Sequence, residues 1–288
     1  MNNTISCVIR TFNEAASIRN LILSIRSQKN ISTEPEIIVV DSGSTDSTTE
    51  ILKTLGVTLI EIEKGEFNYS TALNLGIKRS SGNLIVILSA HTKLCQDTWL
   101  QKMFSHFEDE KVAGVYCKQI PWPDADLFEV LRIEKYFGEK SRNFSRETSN
   151  ISMEFSNAAS CVRRSVWEKH PFIMPVAEDH EWAQWAIENG YIIVYEAEAP
   201  VYHSHKESCR KVAKRQIDLE KAKDIMLSRK RTVFLTIRQA AGWPIKNLRI
   251  VYSSELFKGS RVRYSARCLL RSFWYMVDFQ KTDKSYQL

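Results

Sequence analysis

The chain has 288 residues, 43% hydrophobic and 10% aromatic, enough to bury a sizeable core, which excludes an intrinsically disordered protein. No apolar run approaches the roughly 18–20 residues of a bilayer span, and the opening MNNTISCVIRTFNE lacks the pattern of a secretory leader, so a cytoplasmic protein, soluble or peripheral, is expected. The net charge of +6 is unevenly spread: residues 206–288 hold 20 Lys and Arg against 7 Asp and Glu, leaving 20 and 27 for the first 205.

Residues 4–10 read as a short strand around ISCVI. A helical stretch follows from Asn13, with Ile18, Leu21, Ile22 and Ile25 at i, i+3, i+4, i+7 spacing. Pro35 precedes a second strand, EIIVVD (36–41), which stops at a carboxylate. SGSTDST then supplies turn and capping residues ahead of a helix through Ile51, Leu52 and Leu55. A third strand is expected at 57–63 and a helix around 70–80. The fourth strand, 84–88, is an unbroken apolar run bounded by Gly82 and by Ser89, Ala90 and His91, the pattern of a central strand buried on both faces. A helix with Trp99, Leu100, Met103, Phe104 and Phe107 on one face leads to a strand at 111–119. This alternation predicts an α/β fold, a mostly parallel central sheet with helices on both faces.

The order then loosens. PWPDAD and a charged helical stretch fill 120–150, a strand is expected within 153–164, and a short helix carries Val166 and Trp167. Another helix runs from Glu178 to before Gly190, followed by a strand at 191–199; beyond His205 nearly everything reads as helix. The expected plan is a domain over 1–205 with a basic helical C-terminal extension over 206–288. Cys7, Cys95, Cys117, Cys161, Cys209 and Cys268 are scattered without a C-x-x-C pair, so free thiols are expected, most of them buried.

No G-x-G and no Gly-Lys pair occurs, which removes a dinucleotide-binding turn and a P-loop. His180-Glu181 begins like a metalloprotease helix, but Gln184 stands where the second histidine belongs. What remains is a set of strand ends: RTFNEAASI, DSGSTDST and LSAHTK, then EFSNAASCVRRSVW and AEDHEW. In that order and spacing, over roughly residues 4–205, they resemble the inverting glycosyltransferases of family 2. The SAH triplet with KQIPWPDAD is most similar to the rhamnosyltransferase-type bacterial polysaccharide enzymes.

The resemblance implies the GT-A fold, with a nucleotide-sugar half over about 1–95 and an acceptor half over 96–205. It assigns Thr11, Asn13, Glu14, Asp41 and Ser89 to the nucleoside, and Asn74 and Gly76 to the wall beneath it. A strand-end carboxylate can accept a base N–H or ribose hydroxyls, although Asp41, Ser44 and Asp46 also suit plain turn and helix capping. Most members end the fourth strand in Asp-x-Asp, which brings a divalent metal to the diphosphate. Ser89-Ala90-His91 lacks the two hard carboxylate ligands that Mn²⁺ or Mg²⁺ takes there. His91, with His203 or His205, is therefore expected around the diphosphate, either ligating a metal or donating hydrogen bonds directly.

The same resemblance makes Asp179, with Glu178 beside it, the base that takes the proton from the attacking hydroxyl. First-turn acids at a helix N-terminus are the structural alternative. Asn157 and Trp182 are assigned to the acceptor, with core packing the alternative for tryptophan. The implied reaction is inverting transfer from a nucleotide-diphosphate sugar, dTDP-rhamnose by subfamily, to a glycan or lipid-linked acceptor in cell-surface polysaccharide synthesis. The basic tail is expected to meet an anionic membrane face, or to pack on the catalytic domain or a second subunit in a homo-oligomer. A nucleic-acid-binding reading leaves Asp41 and Asp179 unexplained, and a sugar nucleotidyltransferase lacks its glycine-rich basic loop after Ile9. A degenerate nucleotide-sugar-binding scaffold remains compatible with the missing Asp-x-Asp.

Overall fold

The computed structural model describes residues 4–148, 153–205, 207–226, 248, 252 and 261–282. Its sheet is organised around β1 (Ile5–Thr11), which pairs in parallel with β2 (Glu36–Asp41) on one side and β4 (Leu84–Ser89) on the other. β3 (Thr58–Glu61) extends the sheet beyond β2, again in parallel. β4 is enclosed on both faces as its composition predicts, every residue from Leu84 to Leu88 being buried. The register sets Thr11 beside Asp41 and Arg10 beside Ser89, so three strands end level and their loops share one edge. Edges of this kind are where open α/β sheets bind ligands.

The second half of the sheet is mixed rather than parallel. β8 (Ala159–Arg163) lies antiparallel between β4 and β6 (Val112–Ile120), and β9 (Ile192–Tyr202) runs parallel to β6. Short strands β5 (Lys93–Leu94) and β7 (Arg142–Phe144) add antiparallel to β9. The reason is connectivity: the chain leaves β6 and re-enters β8 at the same edge, so no crossover imposes a parallel strand there. The chain thus leaves β6 and enters β8 at the edge where β1 and β4 end.

Strand alternation feeds two cores. Cys7, Ile9, Val39, Val86 and Leu88 face α1 (Ile18–Arg26), α2 (Thr48–Leu55) and α4 (Trp99–Ser105). Val8, Ile85 and Ile87 face the opposite side, with α3 (Tyr69–Arg79), α6 (Arg164–Trp167) and α7 (Glu178–Glu188). Gly76 allows the close approach of α3, since a Cβ there would sit 2.5 Å from Val8 Cγ1.

Several boundaries move. Asn13 does not begin the first helix: its φ is +55°, and α1 starts at Ile18 after a turn in which Ser17 and Ile18 N–H groups donate to the Glu14 carbonyl. In 153–164 only the part from Ala159 is strand. The cysteines are free as expected, but Cys95 is exposed.

By compactness the chain forms two units, Met1–Asp124 with Arg132–Ser204, and Ala125–Leu131 with His205–Leu288. The sheet lies in the first. The second contains α8 (Cys209–Met226), α9 (Arg261–Thr282) and the opening of α5 (Leu127–Tyr136). Within it Ala213 and Ile217 pack with Tyr275, and Leu127 with Cys268. Asp126 caps α5 through the Phe128 N–H and also takes Arg267 and Arg271 at 2.6 and 2.8 Å. Among the described residues no helix is long and apolar enough to cross a membrane.

Candidate functional site

The loops after β1 and β2 are stitched to each other. The left-handed backbone of Asn13, a conformation asparagine tolerates, turns its N–H to Ser44 Oγ at 2.8 Å and its Oδ1 to the Thr45 N–H at 2.7 Å. Glu14 N–H donates to Thr48 Oγ1 and Ala15 N–H to Asp46 Oδ2. Asp41 is buried, and its carboxylate accepts from the Gly43 and Ser44 N–H groups and from Ser44 Oγ. It thus organises its own turn. Thr11 is buried as well, its hydroxyl without a hydrogen-bond partner among the described residues.

Glu14 reaches across to the end of β4. Its Oε1 lies 2.8 Å from His91 Nδ1, and its Oε2 accepts from Ser17 Oγ at 2.7 Å. Burial alone would raise its pKa, but the bonds from His91 and Ser17 outweigh that and leave it below the usual glutamate range. An ionised carboxylate only accepts, so His91 carries its proton on Nδ1. The His91 ring stacks on His203, centroids 4.9 Å apart. His203 Nδ1 in turn lies 3.0 Å from Gln119 Oε1, and the Gln119 amide nitrogen donates to Ser156 Oγ. That bond orients the amide and makes His203 Nδ1 a donor as well. Each ring thus has its Nδ1 backed by an oxygen acceptor, and Nε2 is the nitrogen that carries the lone pair when the ring is neutral. His205 follows two residues later and begins the second unit.

The acid pair stands at the first turn of α7, entered through Ala177 at φ +60°. Asp179 is partly exposed, its Oδ2 accepting from Asn157 N–H at 3.1 Å and its Oδ1 from His180 N–H at 2.9 Å. Glu178 is buried, accepts from the Asn157 side-chain amide at 3.3 Å, and lies 3.8 Å from Arg10 Nη1. Burial, with the charge of Asp179 adding to it, pushes Glu178 up to about 7; Arg10 and Asn157 oppose the rise. The Ser89 N–H donates to the Ala158 carbonyl at 3.0 Å, so one short segment touches both the end of β4 and the acid pair.

Two expectations about the acceptor are corrected. Trp182 is fully enclosed between Phe155 and Phe172, leaving no ring face for a sugar. Asn157 is also fully buried, with Ser160 Oγ on its Oδ1, and it holds the two acids instead of facing a cleft. Asn74 accepts from Trp167 Nε1 and the Phe172 N–H and donates to the Phe172 carbonyl, which makes it a clasp for the chain entering α7. Sequence reading missed Arg10, Gln119 and Glu154. Burial raises Glu154, with His180 and Arg132 opposing and Asp179 adding. The signal for Arg10 was available: a charged residue one place short of the end of an apolar strand.

A sequence model described as glycosyl transferase family 2 matches residues 6–169. The chain is 28% identical over 225 residues to the O-antigen chain rhamnosyltransferase RfbN of Salmonella typhimurium, covering 74% of this chain and 70% of that protein. It is 31% identical over 199 residues to the O-antigen chain rhamnosyltransferase WbaN of Salmonella anatum, covering 66% and 63%. Among solved structures it is similar to the mannosyltransferase PcManGT from Pyrobaculum calidifontis, in complex with GDP-Man and Mn²⁺, at a TM-score of 0.67 and 17% identity, over 99% of this chain and 89% of that one. S. aureus TarS in complex with UDP aligns at a TM-score of 0.60 and 16% identity, over 99% and 93%.

Proposed function

The chain belongs to glycosyltransferase family 2 and has the GT-A fold of a glycosyltransferase, and from that premise we propose an inverting sugar transfer with Asp179 as general base and dTDP-rhamnose as donor. The observation that carries the reading is the 157–158 segment, which ties the acid pair to Ser89 at the end of β4. The rhamnosyl donor rests on the two O-antigen chain rhamnosyltransferases, and transfer serves cell-surface polysaccharide synthesis on a glycan or lipid-linked acceptor.

In this reading the acceptor hydroxyl gives its proton to Asp179 as its oxygen attacks the anomeric carbon, opposite the bond to the departing diphosphate. Two backbone N–H groups fix the Asp179 carboxylate while leaving lone pairs for the proton. Thr11, Asn13, Glu14, Asp41 and Ser89 form the nucleoside end. For Asn13, Glu14 and Asp41 the role is to shape the loops, since each side chain is already engaged.

The histidine pair fits a divalent transition metal. Each Nδ1 is committed to an oxygen acceptor, which orients Nε2 and is the usual backing of a metal-bound histidine. Imidazole nitrogens favour Mn²⁺ over Mg²⁺, which prefers oxygen donors. We assign His91 and His203 to this role, with His205 as a further candidate from its spacing. Bound there, the metal supplies positive charge to the leaving diphosphate.

The basic second unit we assign to an anionic membrane surface. The function is tested by incubating the protein with a panel of nucleotide sugars, with and without Mn²⁺ or Mg²⁺, and following donor turnover. dTDP-rhamnose is expected to turn over and Asp179→Ala to stop it; no turnover of any donor, or an unaffected variant, would overturn the reading.

A further inference from the structure

Building on Asp179 as the base, we propose that Arg10 is a positioning residue for it: its guanidinium is the counter-charge that lets Glu178 ionise beside Asp179.

Alternation along β1 puts Arg10 on the face of Val8, next to Ser89 of β4. The guanidinium lies 4.6 Å from the centre of the Tyr69 ring at the start of α3, and its Nη1 lies 3.8 Å from Glu178 Oε1 at the start of α7. Both ends are nearly enclosed, with 13% of the Arg10 side chain and 5% of the Glu178 side chain exposed. Arg10 Nε and Nη1 have no hydrogen-bond partner among the described residues. A guanidinium in that state is costly to bury unless a charge compensates it, and Glu178 is that charge. The loop before α7 is fastened to α3, Tyr69 N–H donating to the Pro175 carbonyl and Ser70 Oγ to that of Met174, so the two helix starts cannot drift from Arg10 independently.

The titratable groups around Glu178 are few. Asp179 lies on its own helix and Arg10 on β1; Tyr69 of α3 covers Arg10; Glu154 and His180 sit beyond Asp179. Burial and Asp179 favour the protonated form of Glu178, and Arg10 is the cation that opposes them. Its benefit to the reaction is electrostatic. When Asp179 takes the acceptor proton, the two carboxylates at the start of α7 become one, and Arg10 balances the single charge that remains.

The test labels glutamate carboxyl carbons with ¹³C in the full chain and follows their NMR titration. One resonance is expected to titrate near neutrality, to vanish in Glu178→Gln, to move up by about one unit or more in Arg10→Met, and to return towards its parent position in Arg10→Lys. The acid limb of dTDP-rhamnose turnover is expected to move up with it. Arg10→Gln replaces Arg10→Met should the latter fail to fold. A resonance unmoved by loss of Arg10, or one that moves while the acid limb stays, overturns the proposal. Asp179→Asn separates the two readings: full activity removes the base assignment itself, whereas an inactive Asp179→Asn with an unmoved limb removes only the role of Arg10.

Discussion

Glu178 has a pKa of about 7 in the folded chain, above the roughly 4.3 of an unperturbed glutamate. The folded state therefore binds this proton more tightly than the unfolded state. Its contribution to stability is fully favourable at low pH and is lost as pH rises from the unfolded value through the folded one. Glu178→Gln removes this ionisation and also leaves Arg10 without its counter-charge, so it should flatten the change of melting temperature between pH 4 and pH 8. Thermal melts at the two values check this, and an equal shift at both would refute it. Glu14 is an opposite case, a half-buried carboxylate whose pKa is held down by His91 and Ser17. Glu14→Gln should weaken Mn²⁺ binding by about 10–100-fold, the usual penalty for losing a histidine's carboxylate partner, read by the EPR signal of free Mn²⁺. These residues were legible singly, but not their partnerships. Glu14 reads in sequence as a nucleoside ligand because a strand-end acid looks the same whether it faces a base or a histidine 77 positions away. Asn157 and Trp182 are misread for a related reason, since burial comes from long-range packing that local spacing does not encode.

Among the elements, the parallel half of the sheet was legible because each strand is followed by a helix-length connection. The antiparallel insertion of β8 was not, since 121–158 carries no pattern that states at which edge it returns. Glycines report such contacts more faithfully. A Cβ at Gly76 meets the Val8 side chain at 2.5 Å, whereas one at Gly82 meets the Ser6 backbone nitrogen at 2.6 Å and the Ile5 carbonyl carbon at 2.8 Å. Side chains can give way and a central strand cannot. Gly76→Ala should cost about 1–3 kcal/mol, the usual range for overpacking, and Gly82→Ala should lie at or above the top of it. Urea denaturation of both variants ranks them, and the reverse order would show that β1 yields more readily than the α3 contact.

At the scale of the whole molecule the charge division acquires a structural counterpart in α9. This helix buries Cys268, Arg271, Ser272, Tyr275 and Asp278 within the second unit and exposes Val262, Leu269, Phe273 and Met276, each between 46% and 78%. The exposed set follows a spacing of seven, four and three residues, a single apolar stripe turned out, while polar Arg271, Ser272 and Asp278 are turned in beside Cys268 and Tyr275. Packing within the unit accounts for the inward polar face, because Arg271 pairs with Asp126 and Asp278 with Arg210. The outward stripe needs an apolar partner, and residues 206–288 carry a balance of +13 that suits an anionic one. A bilayer surface rich in phosphatidylglycerol offers both, with the helix lying in the interface rather than crossing it. The full chain should co-sediment with phosphatidylcholine vesicles containing phosphatidylglycerol and far less with phosphatidylcholine alone, and 0.5 M salt should weaken binding. Leu269→Glu with Phe273→Glu should reduce binding at least about tenfold, since two large apolar side chains are each worth roughly 1.5–3 kcal/mol on burial. Donor hydrolysis by the same variant should stay at the parent level. Loss of self-association in that variant, with vesicle binding unchanged, would assign the stripe to a second copy of the chain instead.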